Sequence, residues 1–130
     1  MDDNMAPRGS SKTKQQDEKA IRLFEELGMP RNLAKTLLYV SQVDECRSLD
    51  IEHKTNLRQP EVSIAMQKLM KKGWIKKRDL RKKGKGRPVH IYRLNSPLDK
   101  ILKDFEQEKL GEIDSIKKDL TQLKNIIESR

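Results

Sequence analysis

The positive charge of this chain is gathered in one place. Residues 71–93 carry eleven Lys or Arg and a single acid, Asp79, a local net charge of +10. Residues 1–70 set eleven basic against eleven acidic side chains, and residues 94–130 set seven against eight. The whole excess of +9 therefore lies in 23 residues. An ordinary solvated surface mixes its signs, whereas charge localised in this way is an electrostatic footprint for a polyanion. The segment also has a shape: a strand (Trp74–Asp79), a basic Gly-containing turn (Arg81–Arg87) and a second strand (Val89–Leu94) rich in β-formers. The second strand alternates Val89, Ile91 and Arg93 against His90, Tyr92 and Leu94.

The rest of the chain limits what can surround this hairpin. Its 130 residues suffice for one domain and one extra long helix. With 34% apolar and 38% charged residues, the core must be small. No apolar run reaches the ~20 residues of a membrane span, and the start, with Asp2 and Asp3, lacks the pattern of a signal peptide. A cytoplasmic protein is expected. The one cysteine, Cys46, permits no internal disulfide and no metal cluster. It reads as a small, half-buried helix residue rather than a redox sensor. His53 and His90 have no carboxylate pattern linking them, so neither metal nor cofactor is expected.

Along the chain, residues 1–16 are polar and read as a disordered arm. Ile21, Leu23, Phe24 and Leu27 then mark a helix that Gly28 ends. Pro30 fits the first turn of a second helix, to about Val43, with Leu33, Leu37, Leu38 and Val40 on one broad face. Cys46, Leu49 and Ile51 belong to a shorter helix ending near Lys54, and Thr55-Asn56 makes a tight turn. Pro60 favours the first turn of a fourth helix, about 60–72, whose inward positions are Val62, Met66, Leu69 and Met70. Gly73 ends it, and Trp74 plugs the joint to the hairpin. Ser96 can cap a last helix with Pro97 at its first position. There Ile113, Ile116, Leu120, Leu123 and Ile127 step by 3, 4, 3, 4, a coiled-coil repeat. Upstream, Leu98, Leu102 and Phe105 step by 4 and 3. The eight residues from Phe105 to Ile113 form a stutter, which predicts a slight bend or local unwinding near Lys109 and Gly111.

Helix, helix, short helix, tight turn, amphipathic helix, strand, basic turn, strand is the order of a winged helix-turn-helix. The expected fold is mainly α with a small β-hairpin wing: a disordered arm (1–16), a winged helix-turn-helix DNA-binding domain (17–95) and a C-terminal coiled-coil dimerisation helix (96–130). Several stretches resemble the winged-helix transcription regulators of the MarR, GbsR and TrmB kind. Residues Thr55-Asn56-Leu57-Arg58-Gln59-Pro60-Glu61-Val62-Ser63 are similar to their turn and recognition-helix start. Leu69-Met70-Lys71-Lys72-Gly73-Trp74-Ile75 is similar to their helix-to-wing junction, and Gly86-Arg87-Pro88 with Val89-His90-Ile91-Tyr92 to their wing and last strand. Leu27-Gly28-Met29-Pro30-Arg31 is similar to the entry to the first core helix in the GbsR-like branch. The resemblance covers roughly residues 18–95 and implies operator DNA bound by a dimer. Many such regulators carry an added ligand domain, and none is expected within these 130 residues.

On the fourth helix, Arg58, Gln59, Ser63, Gln67, Lys68 and Lys71 fall on the outer side. Arg58 and Gln59 lie at the N-terminal end, which meets base edges in helix-turn-helix complexes, and Arg suits G and Gln suits A in the major groove. Ser63 and Gln67 would follow along the groove, with Lys68 and Lys71 on phosphates. In the wing, Arg81, Lys82, Lys83, Lys85 and Arg87 crowd one short turn. Their mutual repulsion costs stability, which a phosphate-contacting loop recovers and a merely solvated loop does not. The stripe Ile113, Ile116, Leu120, Leu123 and Ile127 has too few apolar partners within the chain, so a second copy is expected to cover it. The expected partners are thus double-stranded DNA and a second copy of the chain, with no membrane partner and an unknown small-molecule effector. Two other classes fit parts of the pattern: a nonspecific architectural DNA-binding protein, and a protein-interaction winged helix of the transcription machinery. An enzyme does not fit, for want of a nucleophile–base pair, a Walker-type phosphate loop or a metal cluster.

Overall fold

A computed structural model describes residues 11–80 and 89–130 of the chain. They fall into two compact units, Met1–Ser96 and Pro97–Arg130.

In the first unit, helix α1 spans Ser11–Glu26. It begins six residues before Asp17, so residues 11–16 belong to a helix and not to a disordered arm; residues 1–10 lie outside the described part. The polar run Lys14-Gln15-Gln16 contains no helix breaker and simply extends the turn set up by Ile21 and Phe24, which are buried. Leu23 and Leu27, expected to join them, are half exposed. Gly28 at φ +99° ends the helix. Its N–H donates to the Glu25 carbonyl at 3.0 Å and the next N–H, of Met29, to Phe24 at 2.9 Å. This is the Schellman arrangement, with Met29 and Phe24 both buried as its apolar contact.

Helix α2 (Arg31–Ser41) is central, with Leu33, Ala34, Thr36, Leu37 and Val40 buried. Pro30 lies outside its first turn: with ψ at 143°, its carbonyl accepts the first helical bond, from Ala34 at 3.1 Å. Helix α3 spans Ser48–Thr55 and stops because Asn56 is left-handed, at φ 61° and ψ 30°. Helix α4 follows at Gln59–Lys71, burying Val62, Ala65, Met66 and Leu69.

Strands β1 (Ile75–Leu80) and β2 (Val89–Leu94) pair antiparallel, with Ile75 opposite Leu94 and Leu80 opposite Val89. The simple alternation expected for β2 fails, because adjacent Ile91 and Tyr92 are both buried. Neighbouring side chains on a strand point to opposite faces, so its centre is covered on both sides. The edge of β2 away from β1 is met by Cys46. It lies outside α3, contrary to its expected helical place, and forms an isolated bridge with Tyr92. Its N–H donates to Tyr92 at 3.0 Å and its carbonyl receives the return bond at 2.8 Å. Cys46 is buried rather than half-buried.

The second unit is one helix, α5 (Leu98–Glu128), 31 residues and about 46 Å long at 1.5 Å per residue. Its cap is Pro97, one residue later than expected; the Pro97 carbonyl accepts from Lys100 at 3.0 Å and Ile101 at 3.1 Å. Ile101 and Phe105 are buried, whereas Leu102 is exposed. α5 is helical without interruption through Lys109 and Gly111, where the stutter falls. From Leu110 to Arg130 every residue is exposed.

Candidate nucleic-acid interface

Two helices joined by a three-residue turn set up the exposed face of α4. The Asn56 N–H donates to the Glu52 carbonyl at 2.9 Å and closes α3. Asn tolerates the left-handed conformation that this reversal needs. Leu57 is buried and anchors the turn from below. The chain then re-enters a helix at Arg58, whose carbonyl accepts from Val62 at 2.9 Å. Glu61 reaches back to accept the Arg58 N–H at 2.8 Å. That is one half of a capping box, since an Arg side chain cannot supply the acceptor of the other half. It also engages the one acid of this helix at its own N-terminus, where negative charge is favoured.

Arg58, Gln59, Ser63, Gln67, Lys68 and Lys71 are all exposed. Five of them lie on α4 outside the buried set Val62, Ala65, Met66 and Leu69, and Arg58 is the N-cap residue that precedes it. The helix therefore has a core face and a largely polar face, with Met70, expected to face inward, only half-buried. One further residue belongs to the polar side. Ile64 is 53% exposed, between Ser63 and Gln67. It is out of phase with the buried set, and that phase was the available signal for it. An exposed β-branched side chain there can pack against a thymine methyl group.

The joint from α4 to the hairpin is a second Schellman arrangement. Gly73 sits at φ +79°. Its N–H donates to Met70 at 2.9 Å, and that of Trp74 donates to Leu69 at 3.1 Å. Trp74 is buried, as expected for a plug, and Lys72 places its Nζ 4.9 Å from the centre of the indole ring. The end of β2 is tied to the same point. Asn95 donates its backbone N–H to the Trp74 carbonyl at 2.9 Å and its side-chain amide to the Gly73 carbonyl at 3.0 Å. The base of the hairpin is thus held directly to the end of α4.

The strand cations divide. Arg78 donates to both carboxylate oxygens of Glu45, at 3.1 and 2.9 Å. The bonded guanidinium holds the Glu45 carboxyl below its ordinary pKa, and the carboxylate raises that of Arg78. Lys76 and Lys77 are exposed and, among the described residues, have no carboxylate within ion-pair distance. Asp79 faces His90 directly across the ladder, its Oδ1 2.7 Å from the imidazole Nδ1. The single acid of the basic segment is therefore engaged. Arg81, Lys82, Lys83, Lys85 and Arg87 lie outside the described residues.

The buried Cys46 is a poor nucleophile. Burial, with a smaller contribution from the negative charge of Asp50, pushes its thiol up to about 11, so it stays protonated at neutral pH. Among the described residues, no group of three or more His, Cys, Asp or Glu is placed to hold a metal ion. No described helix is long and apolar enough to cross a membrane.

An outward-facing α4 after a tight turn, followed directly by an antiparallel hairpin, makes the first unit a winged helix-turn-helix. No protein-family sequence profile matches the chain, and no curated protein matches it in sequence. Solved structures do match in fold. A possible transcriptional regulator from Methanosarcina mazei Go1 superposes with a TM-score of 0.60 at 14% identity, over 85% of this chain and 88% of that one. The archaeal chromatin protein TrmBL2 superposes at 0.53 and 18% identity, over 83% of this chain and 40% of its own. The multiple antibiotic resistance repressor MarR superposes at 0.51 and 13% identity, over 80% of this chain and 74% of its own. The chain thus has the winged-helix fold seen in MarR-family and TrmB-like transcription regulators.

Proposed function

We propose that this protein is a transcription regulator that binds specific double-stranded DNA as a homodimer. In this reading α4 enters the major groove and the basic wing lies on flanking phosphates or in the minor groove. The observation that carries it is the division of α4. Five polar or basic side chains are exposed on a helix whose other face is core, Arg58 is exposed at its N-cap, and the segment 71–93 with its net charge of +10 begins in its last turn. Arg58 and Gln59 would read base edges, with Ser63, Ile64 and Gln67 following along the groove. Lys68 and Lys71 would meet phosphates. Arg81, Lys82, Lys83, Lys85 and Arg87 would supply affinity that falls steeply with salt. Ile113, Ile116, Leu120, Leu123 and Ile127 would form the dimer seam. The fold shared with known transcription regulators supports this reading without specifying a target.

The test is selection of bound duplexes from a random pool, followed by binding of Arg58→Ala and Gln67→Ala to the selected and to random DNA. A palindromic consensus is expected, with both variants losing far more affinity for it than for random sequence. No consensus, together with equal losses on both DNAs, would replace this reading with an architectural one. The fold shared with the chromatin protein TrmBL2 and the unassisted charge of the wing suit that alternative. Replacing Lys82, Lys83 and Lys85 together by Ala should flatten the salt dependence by about 0.9 in log–log slope for each phosphate that is no longer neutralised. An unchanged slope removes the wing from the interface.

A further inference from the structure

The outer half of α5 presents an apolar seam flanked by a definite charge pattern, and that pattern selects a strand polarity. Ile113, Ile116, Leu120, Leu123 and Ile127 are 46–57% exposed, and Leu110 and Ile126 are equally bare. Setting Ile113, Leu120 and Ile127 at heptad position a and Ile116 and Leu123 at d assigns every other residue. Glu112 and Asp119 then occupy g, and Lys117 and Lys124 occupy e. Both acids therefore lie along one edge of the seam and both lysines along the other. Towards the N-terminus the seam is closed by Lys109, which falls at d. Its Nζ lies 5.3 Å from the centre of the Phe105 ring and 3.2 Å from both carboxylate oxygens of Glu112.

In a parallel pair of helices, a g residue faces the e residue five positions later on the partner. In an antiparallel pair, g faces g and e faces e. The two arrangements bury the same apolar residues but differ in sign at the edges. Parallel pairing sets Glu112 against the partner's Lys117 and Asp119 against the partner's Lys124, each twice by symmetry. Antiparallel pairing of Ile113 with Leu123 sets Asp119 against Asp119 and Lys117 against Lys117, and leaves Glu112 and Lys124 opposite the apolar Ile126 and Leu110 instead of an opposite charge. The seam by itself is indifferent, so the flanking charges decide.

We infer that α5 pairs with a second copy of itself as a parallel coiled coil, held in that polarity by Glu112–Lys117 and Asp119–Lys124 pairs between chains. The inference rests on the dimer proposed above and adds its geometry. A parallel coil starts both copies of α5 at the same end, so the two winged domains that precede it enter from that end. The two-fold axis then runs along the coil, and two copies of α4 are related as inverted half-sites require.

Sedimentation and oxidative cross-linking of the full chain separate the two claims. The wild-type chain is expected to sediment as a dimer; a monomer at micromolar concentration would overturn the dimer and the polarity together. In a Cys46→Ala background, Ile113→Cys and Leu123→Cys variants should each form a same-residue disulfide on mild oxidation. If neither cross-links alone while an equimolar mixture of the two does, the coil is antiparallel. The polarity then fails and the dimer stands. An independent measurement uses Glu112→Lys with Asp119→Lys. Parallel pairing predicts a rise in dimer Kd of about tenfold or more at low salt, as four attractive pairs become repulsive. Mixing with a Lys117→Glu, Lys124→Glu chain should restore pairing. An unchanged Kd would overturn the inference, because an antiparallel coil meets like charges both before and after the substitution.

Discussion

Replacing Gly73 by Ala tests how α4 is joined to the hairpin. Gly73 occupies the left-handed region at φ +79°, and two backbone bonds, to Met70 and Leu69, depend on that conformation. A Cβ built there meets no heavy atom within 4 Å, so the substitution introduces no collision. What remains is the intrinsic cost of placing an L-residue in this region, about 1–2 kcal/mol. For a winged unit of this size that lowers Tm by roughly 5–15 °C. Gly73→Asn should lose less, because Asn visits the region more readily than Ala. Gly111→Ala is the control, since its Cβ also meets nothing within 4 Å but the residue lies inside α5. There the expected effect is a gain of up to about 1 kcal/mol in helix stability. Thermal melts followed by far-UV circular dichroism measure all three. If Gly73→Ala melts within about a degree of the wild type, against the shift expected here, the joint does not require the left-handed residue, and Gly73 does not aim the hairpin.

Other substitutions probe the core thiol, the proposed dimer seam and the exposed face of α4. Burial holds the Cys46 thiol protonated to about 11, from an ordinary 9.0. Below the lower value both folded and unfolded chains keep the proton and stability is full; between the two values only the unfolded chain releases it. Stability should therefore fall by up to about 2–3 kcal/mol across that window, and Cys46→Ala should lose this component of the pH dependence in urea titrations. Identical pH profiles would show that the thiol is not buried as described. Burying the exposed halves of Ile116 and Leu120 in a dimer is worth about 1 kcal/mol per side chain. Replacing both by Ala in both chains should raise the dimer Kd on the order of a thousandfold, read by analytical ultracentrifugation. Ile64→Ala should weaken binding to a selected site by about 1 kcal/mol, roughly fivefold, with little change on random DNA; equal losses on both would remove Ile64 from base reading.

The features legible from sequence are those encoded over a few residues. The spacing of Val62, Met66 and Leu69 located the core face of α4, and the structure buries all three. Gly28, Asn56 and Gly73 punctuate helix ends, and each adopts a positive φ there. The exposed polar set from Arg58 to Lys71 was legible for the same reason, as the complement of a periodic apolar face. Boundaries at proline were displaced by one residue at Pro30 and Pro97. An extended ψ lets proline act as the cap, so its fixed φ does not by itself place it inside the first turn. The polar start of α1 was missed because low hydrophobicity resembles disorder unless a neighbouring helix propagates into it.

Periodicity and local backbone preference belong to the chain wherever it is placed, and they settled the element order and the two faces of α4. Partnerships between distant residues do not have that property. Arg78 looks like any other cation of the basic segment until folding sets it against Glu45, 33 residues earlier. Cys46 looks helical until its backbone bonds to Tyr92 draw it onto the hairpin. Asp79 looks like an unmatched acid until the strand register brings His90 to it. Such pairs depend on loop closure and packing across the whole unit, so they are decided only when the core has assembled.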